Sequence, residues 1–501
     1  MRGGAQGVRD RLSKATVRGL VAGGALAACG LFPPSGLLAQ VTTHPREMDL
    51  PTPGFERPDP AVLRLELDDG LVAYVARDDR APLVTFTAFI AGGSAHGDPG
   101  VMAALGAALR RGPDTMAPGA FREALDRMAA VYSVQVGREE TEVVLEVGAE
   151  DAWEALEVFA ESLRSPALEA ATQGGGSPAP RTSSAGGIDY DGSLAGAVTL
   201  FENALYGDHP LGLRTGEASP GPEAIRAAHD RYVVPGNVTL AVAGDFDPGE
   251  ARRRVAEAFD GWSGPDRPDP VSFSDVETSA PRTVVTAEAD KLQGWVVIGH
   301  ELPPVPLEDE AALQVMDYVL GAYHLDSRLF RESRELRGLT NDNSSFLEPG
   351  VRGPGSYTVR TYGRPEAVRL LVDVTFRELE RIRESRPTED EIFVAKGALV
   401  DGLWATRYAT GLDATRSYAR EWLRHGDHDR SESYPERIGE VTAQEIQEAA
   451  RRYIHPERMI VSVVGPLDAI REAEPIEDEP SLASWGRVRE AGVEAGAGGG
   501  S

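Results

Sequence analysis

Residues 225–247 read IRAAHDRYVVPGNVTLAVAGDFD, and residues 446–468 read IQEAARRYIHPERMIVSVVGPLD. The two segments align at one constant offset without a gap. In each, a helical pattern ends at a tyrosine, a turn with proline follows, and an apolar run then predicts a buried strand. Identical residues occupy the matching positions Arg231 and Arg452, Tyr232 and Tyr453, Pro235 and Pro456, Gly244 and Gly465, and Asp247 and Asp468. A helix–turn–strand unit that occurs twice indicates a duplicated domain.

The order of elements in the first half predicts the fold class. Alternating apolar residues at 63–75, interrupted by the turn residues Asp69 and Gly70, indicate a hairpin. A strand, helices and two further strands follow, and the pattern ends with a helix that reaches residue 163. We therefore predict an α+β protein of two homologous domains, each an antiparallel sheet covered by helices on one face.

Changes in composition give the predicted domain bounds. The N-terminal domain covers residues 59–263 and contains a Gly-, Ser- and Pro-rich insertion at 171–193, which we expect to be flexible. A Pro- and Asp-rich linker at 264–280 leads to the C-terminal domain at 281–472. The acidic and then Gly-rich residues 473–501 predict a disordered tail.

The overall charge excludes one class of partner. The chain has 501 residues, of which 51 are Lys or Arg and 79 are Asp or Glu, and its net charge is −28. A chain this acidic repels phosphate backbones, so we expect no nucleic-acid partner. After the N-terminal segment, the sequence has no run of eighteen apolar residues, so we expect no membrane-spanning helix in the mature protein.

Residues 1–39 are typical of an export signal, and residues 40–58 form a leader to the first domain. Several basic residues precede a short apolar segment at 19–32. Cleavage before Gln40, after Leu-Leu-Ala, fits an ordinary signal peptidase. Alternatively, Leu-Ala-Ala-Cys ending at Cys29 fits a lipobox, in which this single cysteine carries a lipid. Both interpretations predict an exported protein of the periplasm or cell envelope, with membrane contact only through a lipid anchor.

Residues 92–115, GGSAHGDPGVMAALGAALRRGPDT, follow an apolar strand and open a helix near Val101. The stretch resembles the start of the metal-binding helix of the M16 (insulinase/pitrilysin) peptidases, in which a similar loop precedes the motif His-x-x-Glu-His. At the matching positions, the two ligand histidines are replaced by Ala103 and Ala107, and the catalytic glutamate by Gly106. The segment where the family carries its third ligand, a glutamate, has no acidic residue between 169 and 189. The resemblance therefore implies an M16 scaffold that holds no zinc or other cofactor and has no catalytic residue.

Three further segments carry the same resemblance: the opening hairpin, the sequence Tyr-Gly-Asp-His-Pro at 206–210, and the Arg-rich run at 327–339. In the family, an Arg of this last run and a Tyr seven residues later help to hold the substrate backbone. The Arg corresponds to Arg334, but the Tyr position is Asn341. Arg334 is thus a candidate substrate-binding residue, with Tyr357 or Tyr362 as alternative partners. The other interpretation is a solvated cation near a helix end.

The nine histidines of the chain include no His-x-x-Glu-His or His-Glu-x-x-His motif. His425 and His428, with acidic neighbours, form the closest pair and define a relocated metal site as one hypothesis, with an exposed polar loop as the alternative. A single imidazole such as His96, near the degenerate motif, does not make a zinc site. His209 and His455 each precede a proline, which favours a role in turns.

The resemblance implies a specific kind of function. We expect an exported, non-catalytic subunit that pairs with a His-x-x-Glu-His-bearing M16 subunit, with zinc present only on that partner. It would help to enclose and bind peptide by strand addition at a sheet edge, and its charge would favour basic or neutral peptides. The alternatives are a stand-alone peptide-binding or scaffold protein of the cell envelope, and a peptidase with a relocated metal site.

Overall fold

A computed structural model of the chain describes residues 56–169, 192–212, 219–276, 281–322 and 325–491. The predicted signal segment, including Cys29, and most of the predicted leader with Gln40 lie outside these residues. So does the predicted flexible insertion, except for its last two positions. Within the described ranges, no helix is both long enough and apolar enough to cross a bilayer.

The N-terminal half alternates strands with helices. Proline is the first residue of several helices, where its fixed φ suits the helix and its missing N–H is not needed. The side chains of Asp98 and Asp247 accept hydrogen bonds from the first turns of two of them. The elements are α1 (Pro60–Leu63), β1 (Arg64–Glu66), β2 (Val72–Arg77), β3 (Leu83–Ile90), α2 (Pro99–Arg111), α3 (Pro118–Arg127), β4 (Val131–Val136), β5 (Thr141–Gly148), α4 (Ala152–Arg164), α5 (Leu194–Tyr206), α6 (Pro222–Tyr232), β6 (Val238–Gly244) and α7 (Pro248–Ala258).

These strands form the first sheet, in the order β1-β2-β6-β3-β5-β4 among the described residues. β2 and β6 run parallel, and Val72 lies opposite Thr239. The remaining neighbours are antiparallel. Every residue of β6 is buried, as expected for a central strand that is covered on both faces. β4 forms one edge of this sheet.

The C-terminal half repeats this plan with additional helices. Two π-helical segments, Arg331–Glu335 and Ala398–Trp404, continue two of its α-helices. The elements are β7 (Thr283–Glu288), β8 (Gly294–Leu302), α8 (Leu307–Leu320), α9 (Arg328–Phe330), β9 (Asn343–Glu348), β10 (Gly355–Gly363), α10 (Pro365–Glu384), α11 (Glu389–Gly397), α12 (Gly411–His425), α13 (Asp429–Glu440), α14 (Ala443–Tyr453), β11 (Ile460–Gly465), α15 (Leu467–Glu472) and β12 (Arg487–Glu490).

The second sheet has the order β12-β7-β11-β8-β10-β9 in the part of the chain that the structure describes. Position by position, this order matches the first sheet. The repeated sequence unit forms α6 and β6 in one half and α14 and β11 in the other. β6 lies between β2 and β3, and β11 lies between β7 and β8, with the same parallel and antiparallel directions. The prediction of two homologous α+β domains is confirmed.

The prediction of a disordered tail from residue 473 is wrong for residues up to 491. β12 pairs in parallel with β7, with Arg487 opposite Thr283, and occupies the position that β1 has in the first sheet. Just before it, the ring of Trp485 stacks on Phe376 at a centroid distance of 4.6 Å. All four residues of β12 are exposed, so the strand is attached through its backbone and lacks the apolar alternation by which strands are recognised in a sequence.

The prediction that helices cover one face of each sheet is too simple, because the two halves exchange helices. α12, from the C-terminal half, packs on β2, β3 and β6 of the first sheet. Conversely, α5, from the N-terminal half, packs on β7, β8 and β11 of the second sheet. Phe201 of α5 is buried there, and its ring tip lies 3.0 Å from the position that a Cβ on Gly299 would take. Each sheet is therefore covered on its second face by a helix of the other half.

The predicted linker is described as far as residue 276 and contains no helix or strand. Phe273 and Val276 are buried in the apolar cluster that α5 forms with the second sheet. The imidazole Nε2 of His209 lies 3.0 Å from the backbone carbonyl oxygen of Ser274, which ties the segment to the end of α5. This part of the linker therefore belongs to the packed interface between the halves.

Candidate functional site

The degenerate motif lies on α2, as the sequence predicts. The helix begins at Asp98, whose carboxylate accepts hydrogen bonds from the backbone N–H groups of Gly100 and Val101 at 2.8 and 3.1 Å. Ala103, Gly106 and Ala107 have the spacing i, i+3 and i+4, which places them on one face of the helix. That face is directed at β4, the edge strand of the first sheet.

The packing at Gly106 is tight. A Cβ atom at this position would overlap Cγ2 of Val136, and the next atoms around it are Val136 Cβ at 3.8 Å and Val134 Cγ1 at 3.9 Å. A methyl group of Val136, on β4, thus occupies the position where a side chain at residue 106 would begin. Ala107 is buried as well, and Ala103 is half-buried. The helix face that matches the metal motif is therefore restricted at residue 106 by Val136.

A cleft of about 510 Å³ adjoins Ala103. Its charged lining consists of two carboxylates and two guanidinium groups, contributed by Glu140, Glu142, Arg110 and Arg420. No histidine lines the cleft. Across the described ranges of the chain, no group of three or more His, Cys, Asp or Glu residues is arranged to hold a metal ion.

The carboxylates of the cleft are engaged by one face of α12. Arg416, Arg420 and Arg424 are spaced four residues apart, so their side chains lie in a row. Arg416 binds Glu142, and Arg420 reaches Glu142 and Glu140 at 2.8 Å each. Arg424 reaches Glu140 at 2.8 Å. These ion pairs attach the exchanged helix to the N-terminal half and occupy the only two acidic groups of the cleft.

The edge strand β4 offers a place for strand addition. Arg110 Nη2 donates a hydrogen bond of 2.8 Å to the backbone carbonyl oxygen of Val134, so this carbonyl points away from β5. Because alternate residues of an antiparallel strand direct their backbone groups to the same side, Tyr132 and Val136 also present N–H and C=O groups outward. Such unpaired edges can accept an additional strand. Arg110 covers one of these groups.

Arg334 lies in the π-helical segment that follows α9, and its side chain is exposed. Its guanidinium carbon lies 4.9 Å from the ring centroid of Phe330, and Nη1 donates a hydrogen bond of 3.3 Å to the backbone carbonyl oxygen of Asn341. The structure therefore brings together the two positions that the resemblance pairs, but through the backbone of Asn341. The guanidinium keeps donors free for a ligand.

Neither alternative tyrosine is placed to assist Arg334. Tyr357 is completely buried, and its hydroxyl donates to Asp317 Oδ1 at 3.0 Å. The same carboxylate also accepts from Ser345, and burial raises the pKa of Asp317 to about 6. Tyr362 packs against Trp295, with 4.5 Å between the ring centroids. Both tyrosines thus have structural contacts of their own.

His425 and His428 do not converge on a common point. His428 uses both ring nitrogens, because Nε2 lies 2.7 Å from the hydroxyl of Tyr74 and Nδ1 lies 3.2 Å from Glu421 Oε2. His425 lines a separate cavity, and its pKa is lowered, chiefly by burial and also by the positive charge of Arg430. The geometry joins His428 to a tyrosine and a glutamate.

Four further histidines of the described residues have structural partners. His96 Nδ1 accepts a hydrogen bond from the backbone N–H of Gly93 at 3.2 Å, and burial lowers the pKa of His96. His209 Nδ1 accepts from the N–H of Leu211 at 3.2 Å within its turn. His300 is buried beside His455, and the backbone N–H of His455 donates to Nε2 of His300 at 3.2 Å. Burial lowers the pKa of His300 to about 4. These imidazoles belong to turns and to the core.

The family model of the peptidase M16 inactive domain matches residues 221–399. The matched residues span the junction of the two halves. Both halves have the same fold. The chain thus contains an M16 inactive domain and lacks the His-x-x-Glu-His motif. No curated protein sequence matches it.

Solved structures share the fold of this M16 protein at low sequence identity. A peptidase M16 inactive domain from Pseudomonas fluorescens is similar with a TM-score of 0.68 and 18% identity, over 83% of this chain and 99% of that chain. A protease from Helicobacter pylori is similar with a TM-score of 0.67 and 17% identity, over 80% and 99% of the two chains. A chain of complex III2 from Candida albicans is similar with a TM-score of 0.63 and 15% identity, over 81% and 96%.

Sequence reasoning missed the ion pairs that attach α12 to the cleft of this M16 protein. The arginines at 416, 420 and 424 have regular helical spacing, and Glu140 and Glu142 are two residues apart at the start of β5, which favours the same side of the sheet. Each pattern is visible by itself in the sequence. Their pairing is not, because it depends on the exchange of helices between the halves.

Proposed function

We propose that this M16 protein is an exported, non-catalytic subunit that pairs with a His-x-x-Glu-His-bearing zinc subunit and helps to enclose and bind peptide. The observation that carries the proposal is the packing of α2 at Gly106. Gly106 packs directly against Val136, while both sheets and their helices are retained around it. A scaffold kept without the catalytic side chain, with Val136 packed at that position, fits a role in binding better than one in chemistry. Zinc would be held by the partner only.

Two features support peptide binding. The outward backbone groups of β4 suit strand addition, which recognises the peptide main chain more than its side chains. Arg334 is exposed, and its guanidinium has several donors that suit backbone carbonyls or a carboxylate. Its position beside Asn341 matches the substrate-holding pair of the related peptidases in all but the tyrosine.

Export is proposed from the sequence of residues 1–39, whose basic start and apolar core are typical of a signal segment. Pairing is proposed from the missing motif, since a chain without zinc ligands depends on another subunit for turnover. A second candidate is a scaffold subunit of a cell-envelope assembly. It is favoured by the similarity in fold to a chain of complex III2, a multi-subunit assembly.

The test is affinity purification of the mature chain from its native cell envelope, with the stoichiometry of the proteins that accompany it. We expect a one-to-one partner that contains His-x-x-Glu-His and binds zinc. A single chain or a homodimer, free of zinc, contradicts pairing and leaves the scaffold candidate.

Arg334→Ala should lower kcat/KM for peptide turnover by the reconstituted pair about tenfold, because one charge-assisted hydrogen bond to substrate is lost. Arg122→Ala is the matched control, since Arg122 is exposed on α3 on the surface of the N-terminal half. Equal activity of the two variants would argue against a role for Arg334 in holding peptide.

A further inference from the structure

A second cavity, of about 460 Å³, lies in the C-terminal half between α8, α12 and α13. This volume is within the range of small-ligand sites, about 300–1,000 Å³. One wall is apolar and includes Leu313 and Leu347, and the aromatic rings of Tyr408 and Tyr434 form another. The π-helical segment Ala398–Trp404 leads into the cavity, and π-helical segments are frequent at functional sites.

The polar lining of this cavity is predominantly basic. Two carboxylates, those of Glu310 and Glu421, face five guanidinium groups. Glu310 is shared by two of them, since it binds Arg430 and lies 3.7 Å from Arg437. The guanidinium groups belong to Arg407, Arg420, Arg424, Arg430 and Arg437.

Arg407 has no acidic partner of its own. Among the described residues, no carboxylate oxygen lies within 4.0 Å of its side-chain nitrogens, and the side chain is exposed at the cavity. Its backbone is held in place, because its N–H donates to the carbonyl oxygen of Trp404 at 3.1 Å and its own carbonyl accepts from Ser417 at 2.9 Å. Arg407 thus presents a free guanidinium on a fixed turn.

The partners of the neighbouring arginines do not remove the excess positive charge. Arg420 and Arg424 also reach out of the cavity to Glu140 and Glu142, but these two carboxylates are shared with Arg416. When Arg416 and the carboxylates outside the cavity are counted as well, there are six guanidinium groups and four carboxylates. This excess is local, since the chain as a whole has a net charge of −28.

We infer that this cavity binds the carboxylate groups of an acidic peptide segment, with Arg407 as its principal contact. A guanidinium group matches a carboxylate through two parallel hydrogen bonds, and the aromatic and apolar walls suit the carbon atoms of an adjoining residue. Arg420 also lines the cleft beside β4, so the cavity adjoins the surface where we propose that peptide binds. The inference rests on that proposed function and adds the class of peptide.

The experiment compares two fluorescently labelled peptides by anisotropy with the complete mature chain. Both consist of β-prone Thr and Val residues and end in an amide. One has two adjacent Glu residues near its end, and the other has Gln at the same two positions. We expect the Glu peptide to bind about tenfold more tightly at physiological ionic strength, where the long-range repulsion by the net charge is largely screened. Arg407→Gln should reduce this preference to about twofold or less, whereas Arg122→Gln should leave it unchanged.

The outcomes separate the two proposals. Binding of both peptides with equal affinity overturns the inference about acidic peptides and leaves peptide binding intact. Absence of binding by either peptide overturns the proposed function and this inference with it. A third outcome is that the preference for Glu persists in both Arg407→Gln and Arg430→Gln while the circular dichroism of the variants is unchanged. That result places the acidic contact elsewhere on the chain and overturns the assignment to this cavity.

Discussion

Replacing Gly106 by alanine tests whether β4 closes the face of α2 that carries the degenerate motif. Alanine inside a helix is favoured over glycine by about 1 kcal/mol. At this position, however, the new methyl group overlaps Cγ2 of Val136, and inserting a methyl group into a packed interior costs about 1–3 kcal/mol. We therefore expect Gly106→Ala to be neutral or to lower the free energy of unfolding by about 2 kcal/mol.

The same substitution should have the opposite effect when Val136 is also alanine. Without Cγ2 of Val136, the nearest atoms to the new methyl group are those at 3.8 and 3.9 Å, which is ordinary van der Waals distance. Gly106→Ala should then stabilise the protein by about 1 kcal/mol through helix propensity alone. The difference between the two backgrounds is a coupling free energy of about 1–3 kcal/mol between residues 106 and 136.

The assay is urea denaturation of the four proteins of this double-mutant cycle, followed by circular dichroism. The destabilisation caused by Val136→Ala itself cancels in the cycle. If Gly106→Ala changes the free energy of unfolding equally in both backgrounds, Val136 does not restrict residue 106. Residue 106 would then have room for a larger side chain, and the missing chemistry would follow from residue identity alone.

Two further predictions concern the core. His300→Gln should reduce the loss of stability on acidification. The folded chain keeps His300 neutral down to a pKa of about 4, whereas the unfolded imidazole binds a proton below about pH 6.5. Going from about pH 7 to about pH 5 should therefore destabilise the wild type by about 2 kcal/mol more than the variant. If the wild type and the variant lose the same free energy of unfolding between the two pH values in urea denaturation, the prediction is contradicted. Phe201→Ala should lower the free energy of unfolding by about 3–5 kcal/mol and speed hydrogen exchange in β8 and β11 more than in β5, because α5 covers the second sheet. Faster exchange confined to the first sheet would argue against the exchange of helices.

The charge of the chain acts at two length scales. The net charge of −28 repels acidic peptides at long range, so the composition predicts a preference for basic or neutral peptides. At contact distance, the cavity around Arg407 presents guanidinium groups in excess of carboxylates. Repeating the anisotropy experiment at several salt concentrations separates the two scales, since added salt weakens the long-range repulsion of the Glu peptide first.

Local patterns were sufficient for the repeated unit and for the loss of the motif. The spacing of apolar residues in 225–247 and 446–468 predicts a helix and a strand, and the structure forms α6 with β6 and α14 with β11 there. Asp98 and Pro99 predict the start of α2, because a cap and a first-turn proline act within a few residues. The residues Ala103, Gly106 and Ala107 show the loss of the motif directly in the sequence. Each of these signals lies within one element.

The positions of α5, α12 and β12 depended on tertiary structure. An amphipathic pattern shows that a helix has an apolar face, but not which sheet buries that face. The partners Arg416 and Glu142 are 274 residues apart in the sequence. β12 is held by backbone hydrogen bonds and carries exposed side chains, so it leaves no apolar pattern. The overlap of Gly106 with Val136 and the basic cavity around Arg407 likewise arise only where distant segments pack together, because packing is decided by the three-dimensional neighbours of a residue and not by its neighbours along the chain.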